Sequence, residues 1–282
     1  MLNQEEIEKT WARALREHAT APLLGDRGPY LAVGAKSLRL LDELWKAPET
    51  QEPLDVGEML AAGKDVRVFS DPHFEHANII RMCERPFAAV EEMDEALWAG
   101  IEKALAQADL VLCLGDWAMK NPIGWARKAR ALGPGRLAGV VGNHDAKGAK
   151  PGQWAQAGAR ASMACAVDRE LISAWVRANE PEMHALVPWS ETPARVHVGF
   201  SHWPVPPQRL PGPSWVSFHG HVHNRPGRPL RVNCSVEALG FEPRPLSSLF
   251  TAELMTDLAD RQRGLGRFDE SAVVGSLDND SM

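Results

Sequence analysis

Residues 110–116 read LVLCLGD and residues 137–145 read LAGVVGNHD, and these two stretches decide the fold of this chain. Each is a short, continuous apolar run that ends in a glycine and polar side chains, which is the pattern of a strand buried within a sheet. Four further stretches share the pattern: VRVFSD at 66–71, VHVGFSH at 196–202, WVSFHGH at 215–221 and LRVNCSV at 230–236. We therefore predict buried strands that carry functional residues at their ends.

Helical patterns lie between the first three of these strands. Between the first two, apolar residues recur at the spacing of one helical face: Val90, Met93, Leu97, Ile101 and Leu105. A second helix is predicted for PIGWARKARAL, where Pro122 suits the first helical position. Because helices alternate with the early strands and the later strands follow one another, the sequence predicts an α/β fold with sheets packed between helices.

The chain is predicted to have three parts. Residues 1–62 form a helical extension, residues 63–263 form the main domain, and residues 264–282 form a polar, frayed tail. Apolar residues of the extension fall into two helical groups: Ile7, Trp11, Ala14 and Leu15, and then Leu38, Leu41, Leu44 and Trp45. The length of 282 residues suits one large α/β domain with an appendage better than two equal domains.

Composition restricts the class of protein. No apolar run approaches the roughly 20 residues that span a bilayer, and the acidic start MLNQEEIEKT lacks the features of a secretory signal. No membrane partner is therefore expected, and a cytoplasmic location is predicted. The four cysteines form no CxxC pair, which indicates reduced thiols. The net charge of −6 gives no general attraction to nucleic acid, although a local basic patch would still allow such binding.

Candidate metal ligands stand at the ends of the apolar runs. Asp71 and His73 are two residues apart, which places a carboxylate and an imidazole on the same side of an extended chain. Asp116 follows a glycine that lets a ligand approach, and the run before Asn143 ends in three polar residues where a plain turn needs one. His202 ends a further run. Each feature alone also fits an ordinary strand end, so the prediction depends on their coincidence.

Three alternate histidines follow the apolar run WVSF. They are His219, His221 and His223. This spacing is typical of a chelate, and a solvated, histidine-rich turn is the competing interpretation.

The order of these motifs resembles that of the calcineurin-like metallophosphoesterase superfamily. Its pattern is DxH, GD, GNH followed by Asp or Glu, a single His and then GHxH, and all five blocks occur here in order across residues 71–223. The stretches SDPHFEHANII, ERPFAAVEEMDEAL and VNCSVEALGFEPRPLSSL also look like a bacterial and phage subgroup of small members. The resemblance covers residues 70–250. It implies a four-layer sandwich in which helices flank two mixed β-sheets.

The resemblance also implies two positions for divalent transition-metal ions. One ion would be held by Asp71, His73 and His223, the other by Asn143, His202 and His221, and Asp116 would bridge them. Imidazole, amide and carboxylate donors suit Mn, Fe, Zn, Co or Ni better than Mg or Ca, which prefer oxygen ligands.

Catalytic roles follow from the same resemblance. His144 would contact the substrate, Asp145 would orient the His144 imidazole, and His219 would lie behind the ligands. The implied activity is hydrolysis of phosphate esters, above all phosphodiesters, by a metal-bridging hydroxide with His144 assisting the leaving group. The substrate would be a phosphate ester, with nucleotides among the candidates.

Several activities remain open at this stage. The residues after Asp116 lack the GDxVDRG continuation of Ser/Thr protein phosphatases, which argues against that class. Phosphodiesterases, phosphomonoesterases and nucleases of the same fold are all compatible with the motifs, with phosphodiesterases preferred. A non-catalytic interaction scaffold is the alternative of another class, but scaffolds tend to lose ligands or the catalytic histidine, and here every one is present.

Candidate substrate contacts follow the first ligand pair. They are His76, Asn78, Arg81 and Arg85. An arginine fork suits a phosphate group, whereas a surface helix with ordinary charges is the competing interpretation.

Overall fold

Two β-sheets organise the chain. The computed structural model describes residues 2–20, 33–46, 54–146, 150–225 and 228–265. Its strands are β1 (Val66–Phe69), β2 (Leu110–Cys113), β3 (Leu137–Val140), β4 (Ala159–Arg160), β5 (Met163–Asp168), β6 (Arg195–Ser201), β7 (Trp215–His219), β8 (Arg231–Asn233) and β9 (Arg244–Pro245). The six stretches predicted as strands supply β1, β2, β3, β6, β7 and β8, so those predictions are confirmed.

The helices surround these sheets. They are α1 (Gln4–Thr20), α2 (Ala35–Lys46), α3 (Val56–Ala61), α4 (Ala77–Met82), α5 (Val90–Gln107), α6 (Pro122–Leu132), α7 (Pro151–Gln156), α8 (Arg169–Asn179), α9 (Pro181–His184), α10 (Val236–Leu239) and α11 (Ala252–Gln262). Pro122 begins α6 as predicted, and the Asn121 side chain caps this helix by accepting from the Gly124 amide. Among the described helices, none is both long and apolar enough to cross a membrane.

Both sheets are mixed. The first has the order β4-β3-β2-β1-β9, with β1 to β4 parallel and β9 antiparallel to β1. The second has the order β5-β6-β7-β8, with β5 antiparallel to β6 and the other pairs parallel. Parallel neighbours end at the same edge of a sheet, so residues that follow β1, β2 and β3 are brought together, as are those that follow β6 and β7. The α/β prediction, with two mixed sheets flanked by helices, is confirmed in this general form.

The amino-terminal helices belong to the same core as the sheets. Trp11 of α1 is fully buried, its Nε1 donates to the Phe200 carbonyl of β6 at 3.1 Å, and its ring stacks on Trp215 at 5.8 Å. Gly199 makes room for this indole, since a Cβ there would lie 2.2 Å from it. One continuous apolar core includes buried residues of α1, α2 and α3. The boundary predicted at residue 62 therefore does not separate two cores. Of the predicted tail, residues 266–282 lie outside the described part of the chain.

Candidate metal centre

The seven predicted ligands meet where the two sheets present their carboxyl ends. Asp71, Asp116 and Asn143 follow β1, β2 and β3, while His202 follows β6 and the pair His221 and His223 follows β7. Hydrogen bonds tie these loops to one another. The amide of Asp71 donates to the Gly115 carbonyl at 3.0 Å, and the amide of His221 donates to the Asp71 carboxylate at 2.9 Å. The site is thus built from both sheets at once.

Four donor atoms, two from the loops of each sheet, lie close together. The Oδ1 atom of Asn143 is 2.9 Å from His202 Nε2 and 2.9 Å from His221 Nδ1. The two histidine nitrogens are 3.2 Å apart, and Asp116 Oδ2 is 3.3 Å from His202 Nε2. Metal–nitrogen bonds of about 2.0–2.1 Å place adjacent ligands about 2.9 Å apart at right angles and about 3.4 Å apart at the tetrahedral angle. The observed spacings fall in this range, so these atoms could surround one ion.

A second set of donors comes from the loops after β1 and β7. Asp71, His73 and His223 bring one oxygen and two ring nitrogens within 4.8 Å of one another. Within the described part of the chain, the buried Nε2 of His73 has no hydrogen-bond partner, and it lies 3.8 Å from Asp71 Oδ1 and 3.5 Å from Asp116 Oδ2. A buried polar atom without a partner is costly. An ion held by these residues would satisfy it.

We call Asp71, His73 and His223 the first group, and Asn143, His202 and His221 the second group. Asp116 belongs to both, because its Oδ2 atom is 3.5 Å from His73 Nε2 and 3.3 Å from His202 Nε2. One carboxylate therefore lies between the two sets of donors. These buried histidines and aspartates could hold a metal ion.

The outer nitrogens of the histidines have partners that orient the rings. His202 Nδ1 is 2.9 Å from the Leu114 carbonyl, which can only accept, so Nδ1 carries the proton and Nε2 is free to bind a metal. His223 Nδ1 is 3.0 Å from Glu237 Oε1, which has the same effect. His73 Nδ1 is 3.4 Å from His76 Nδ1. His76, predicted to contact substrate, is thus brought to the centre as a neighbour of His73.

Buried carboxylates make the centre attractive to cations. Burial opposes ionisation of Asp71, but His202 and His73 hold the pKa of its carboxyl well below the usual value. Burial also opposes protonation of His202, yet the carboxylates of Asp116 and Asp71 raise the pKa of this imidazole to about 9. By contrast, burial lowers the pKa of His73 to about 4, which keeps its ring neutral and able to act as a ligand. Buried carboxylates beside the neutral ring of His73 favour a cation, and a bound metal would displace the proton that these carboxylates place on His202.

Backbone strain is concentrated at the same residues. Five of the seven predicted ligands adopt a left-handed conformation without being glycine, with φ of 58° at Asp71, 52° at His73, 58° at Asp116, 73° at His221 and 51° at His223. Each such residue costs on the order of 1–3 kcal/mol. Strain of this kind persists where the surrounding structure enforces it, and it marks functional sites.

The neighbouring His144 and Asp145 have different environments. His144 is half-buried, its ring centre is 4.7 Å from that of His73, and its amide donates to Asp116 Oδ1 at 2.7 Å. Asp145 is fully buried, and its carboxylate accepts from the amides of Asp116, Trp117 and Gly142 at 2.7–3.0 Å. These three amides are the partners that the structure gives the Asp145 carboxylate, so the expectation that Asp145 orients the His144 ring stays a prediction. Asp145 fixes the backbone of the two loops that carry Asp116 and Asn143.

The other three predicted substrate contacts differ in exposure: Arg85 is buried, whereas Asn78 and Arg81 are exposed. Arg85 is buried and donates to the carbonyls of Asp71 and Pro72, both at 2.8 Å, so its guanidinium supports the loop after β1 and the predicted substrate contact is wrong. Asn78 and Arg81 are exposed on α4, in keeping with a surface helix. The structure shows no contact that would link Asn78 to the centre among the described residues.

Two residues of the centre escaped the sequence analysis. Ser235 is buried and donates from Oγ to Asp71 Oδ2 at 3.0 Å, and Glu237 contacts both His223 and Arg85. Both lie in the stretch VNCSVEALGF, which carries no ligand motif of its own. Cys83, His223 and Glu237 also lie within 4.8 Å of one another, but the Arg85 guanidinium 2.8 Å from Glu237 disfavours a cation at that point.

Comparisons with known proteins give relatives without an assigned activity. No family model matches this chain. An uncharacterized protein of Methanocaldococcus jannaschii is 40% identical over 88 residues, which are 31% of this chain and 50% of that protein. The chain thus spans about half the length of this relative. A solved structure of a protein of unknown function from Aquifex aeolicus covers 64% of this chain and 94% of its own, with 22% identity and a TM-score of 0.39.

Proposed function

We propose that this chain is a two-metal phosphoesterase of the calcineurin-like metallophosphoesterase type, with a four-layer sandwich fold and a preference for phosphodiesters. The observation that carries the proposal is the convergence of seven predicted ligands, from five loops and two sheets, into two groups that share Asp116. Chance alone would scatter such residues along the strand ends of both sheets.

The donor set fits two divalent transition-metal ions. The first group would hold one ion, the second group the other, and Asp116 would contact both. Four imidazoles among the donors favour Mn, Fe, Zn, Co or Ni over Mg or Ca. When bound, the ions would supply the positive charge that attracts a phosphate ester and the Lewis acidity that activates water for attack.

His144 is the residue of the chain best placed to move a proton. It is only half-buried, whereas the neighbouring His73 is buried, so a substrate that approaches the centre from solvent would meet His144 before His73. Its amide bond to Asp116 Oδ1 fixes its backbone relative to the shared carboxylate. Protonation of a leaving oxygen by such a group contributes typically 10²–10⁴-fold in rate. This role requires the side chain of His144 but not its participation in metal binding.

A paired hydrolysis assay tests the proposal. The purified protein is stripped of metal, reloaded with Mn²⁺, and supplied in parallel with bis-p-nitrophenyl phosphate and p-nitrophenyl phosphate. We expect faster hydrolysis of the diester and no hydrolysis of either ester by Asp116→Asn. Asp42→Asn is the matched control, since Asp42 is half exposed and pairs with Lys46 on α2. Preferred hydrolysis of the monoester would identify a phosphatase instead.

A second variant separates proton transfer from metal binding. We expect His144→Ala to retain both ions and to lose 10²–10⁴-fold in turnover. His184→Ala is the matched control, because His184 lies on α9 and contacts Ser173. Full turnover by His144→Ala with both ions bound would contradict the role given to His144. Two bound ions with hydrolysis of neither ester would favour a non-catalytic scaffold.

A further inference from the structure

We infer that Arg85 and Glu237 form a positioning pair that sets the metal affinity of the first group and leaves that of the second group largely unaffected. The inference rests on the metal centre of the proposed function. Neither residue belongs to the predicted ligands, and both are buried beside the centre.

Arg85 joins two separate loops of the centre. Its Nη2 and Nη1 atoms donate to the carbonyls of Asp71 and Pro72 at 2.8 Å each, and its Nε donates to Glu237 Oε1 at 2.9 Å. A planar guanidinium can make these bonds together in a fixed geometry, which a lysine cannot. The loop after β1 is thereby connected to α10, the helix that carries Glu237.

Glu237 carries the connection on to a predicted ligand. Its Oε1 atom accepts from His223 Nδ1 at 3.0 Å, so the His223 ring presents Nε2 toward the centre. A carboxylate behind a ligating histidine fixes the ring and raises its basicity. Asp71 and His223, which belong to the first group, are thus linked through one arginine and one carboxylate.

The first group needs such support because all its members are strained. Asp71, His73 and His223 each have φ between 51° and 58°. Arg85 bonds the carbonyls of Asp71 and Pro72, which hold the peptide planes of this loop in place. The second group has a different support, since the partner of His202 Nδ1 is the Leu114 carbonyl of the backbone. Loss of Arg85 or Glu237 should therefore lower the metal affinity of the first group and leave that of the second group largely unchanged.

Metal titration of the whole chain without substrate tests this selectivity. Native mass spectrometry counts bound Mn²⁺, and calorimetry measures the affinities. We expect two ions in the wild type, an affinity for one ion reduced about 10-fold in Glu237→Gln and about 100-fold in Glu237→Ala, and little change for the other ion. Glu242→Gln is the matched control, because Glu242 is exposed and its ion pair with Lys103 is long, at 3.8 Å. Turnover of Glu237→Gln should recover when excess Mn²⁺ fills the weakened position.

Combined variants show which position is weakened. In a His221→Ala background, the second group should no longer bind its ion. Glu237→Gln should then lower the affinity for the ion that the first group still binds. In a His73→Ala background, the first group should no longer bind its ion. Glu237→Gln should then have little effect on the affinity for the ion that the second group still binds. An equal loss of metal affinity in both backgrounds, or no loss in either background, would overturn the inference.

Further controls separate a folding defect from the proposed role. Near-ultraviolet circular dichroism and thermal unfolding report whether each variant keeps its tertiary structure. If Glu237→Ala fails to fold, the nearly isosteric Glu237→Gln and the charge-preserving Arg85→Lys still test the selectivity. A wild type that binds no Mn²⁺ would overturn both this inference and the proposed function, whereas two ions bound with unselective variants would overturn the inference alone.

Discussion

A single methyl group at Gly142 should displace the shared carboxylate of the centre. A Cβ atom built on Gly142 would lie 2.1 Å from Asp116 Oδ1 and 2.6 Å from the Asp116 amide nitrogen. Gly142 does not have a positive φ, so alanine suits its backbone and the effect of Gly142→Ala is steric. Because Asp116 lies between the first and second groups, the substitution tests the arrangement of both.

The size of the displacement follows from these distances. Real Cβ atoms essentially never approach another atom within 3.0 Å, so the Asp116 carboxylate or the Gly142 backbone must move by about 1 Å. A misplacement of 1 Å in a catalytic group can cost about 100-fold in rate. The added atom should also destabilise the fold by about 1–3 kcal/mol, as overpacking in a well-packed core does.

Three measurements on one preparation give the assay. Metal content, hydrolysis of bis-p-nitrophenyl phosphate and urea unfolding are compared between Gly142→Ala and the wild type. We expect a loss of at least one ion and about 100-fold slower hydrolysis at a temperature where the variant remains folded. Gly152→Ala is the matched control, since a Cβ there meets no atom within 4 Å and should change stability by less than about 0.5 kcal/mol.

One result would refute the reasoning. If Gly142→Ala binds two ions and hydrolyses the diester at the wild-type rate, then the position of Asp116 is not critical, and the shared carboxylate is wrongly assigned. Slow hydrolysis with two ions bound at unchanged affinity would instead show that Gly142→Ala changes the orientation of the Asp116 carboxylate without weakening metal binding.

Three further predictions concern the surroundings of the centre. Asp145→Asn should lower the free energy of unfolding by about 1–3 kcal/mol and slow turnover, because the amides of Asp116, Trp117 and Gly142 now bond two carboxyl oxygens and asparagine offers only one; unchanged urea unfolding would argue against this role. Trp11→Ala should cost about 3–5 kcal/mol in one cooperative transition, whereas separate unfolding of the amino-terminal helices would contradict a shared core. Burial and Arg209 lower the pKa of His18 to about 4, below the roughly 6.5 of an unfolded imidazole, so stability should be full above pH 6.5 and fall by up to about 3 kcal/mol as the pH drops to 4. His18→Asn should reduce this dependence by the contribution of His18 in urea titrations across that range, and the part due to other buried histidines such as His73 should remain.

The strands that carry the candidate ligands could be predicted because the end of each apolar run coincides with a polar, candidate ligand residue. Each is an apolar run that stops at a polar ligand, so the burial pattern and the chemistry mark the same point. The missed strands lack this signal. β4 and β9 have two residues each, and Pro245 in β9 suits an edge position where its missing amide is not needed. In β5, which reads MACAVD, only one residue is β-branched.

The roles of the supporting residues could not be predicted from the order of the chain. Asp145 directly follows His144, and this proximity suggested that one orients the other. The turn directs the Asp145 carboxylate to three backbone amides, a fact that depends on tertiary packing. Arg85 and Glu237 are 152 residues apart, so no local spacing connects them. Ligand types can be recognised from motifs, but the groups that hold ligands in strained conformations are specified only by the fold.

Two buried side chains support the strained loops, one by accepting and one by donating hydrogen bonds, and the backbone determines which each loop requires. The loops after β2 and β3 turn amides inward, from Asp116, Trp117 and Gly142, so a hydrogen-bond acceptor, the Asp145 carboxyl group, satisfies them. The loop after β1 presents the carbonyls of Asp71 and Pro72 to the interior, so a cation, Arg85, satisfies it. Replacing either side chain by one that cannot make these bonds would leave buried polar atoms without partners and would let the strained loops shift the candidate ligands. A substitution at either position should therefore affect metal binding more than its distance from the proposed metal positions suggests, and we expect each to act first on the loop whose backbone it contacts.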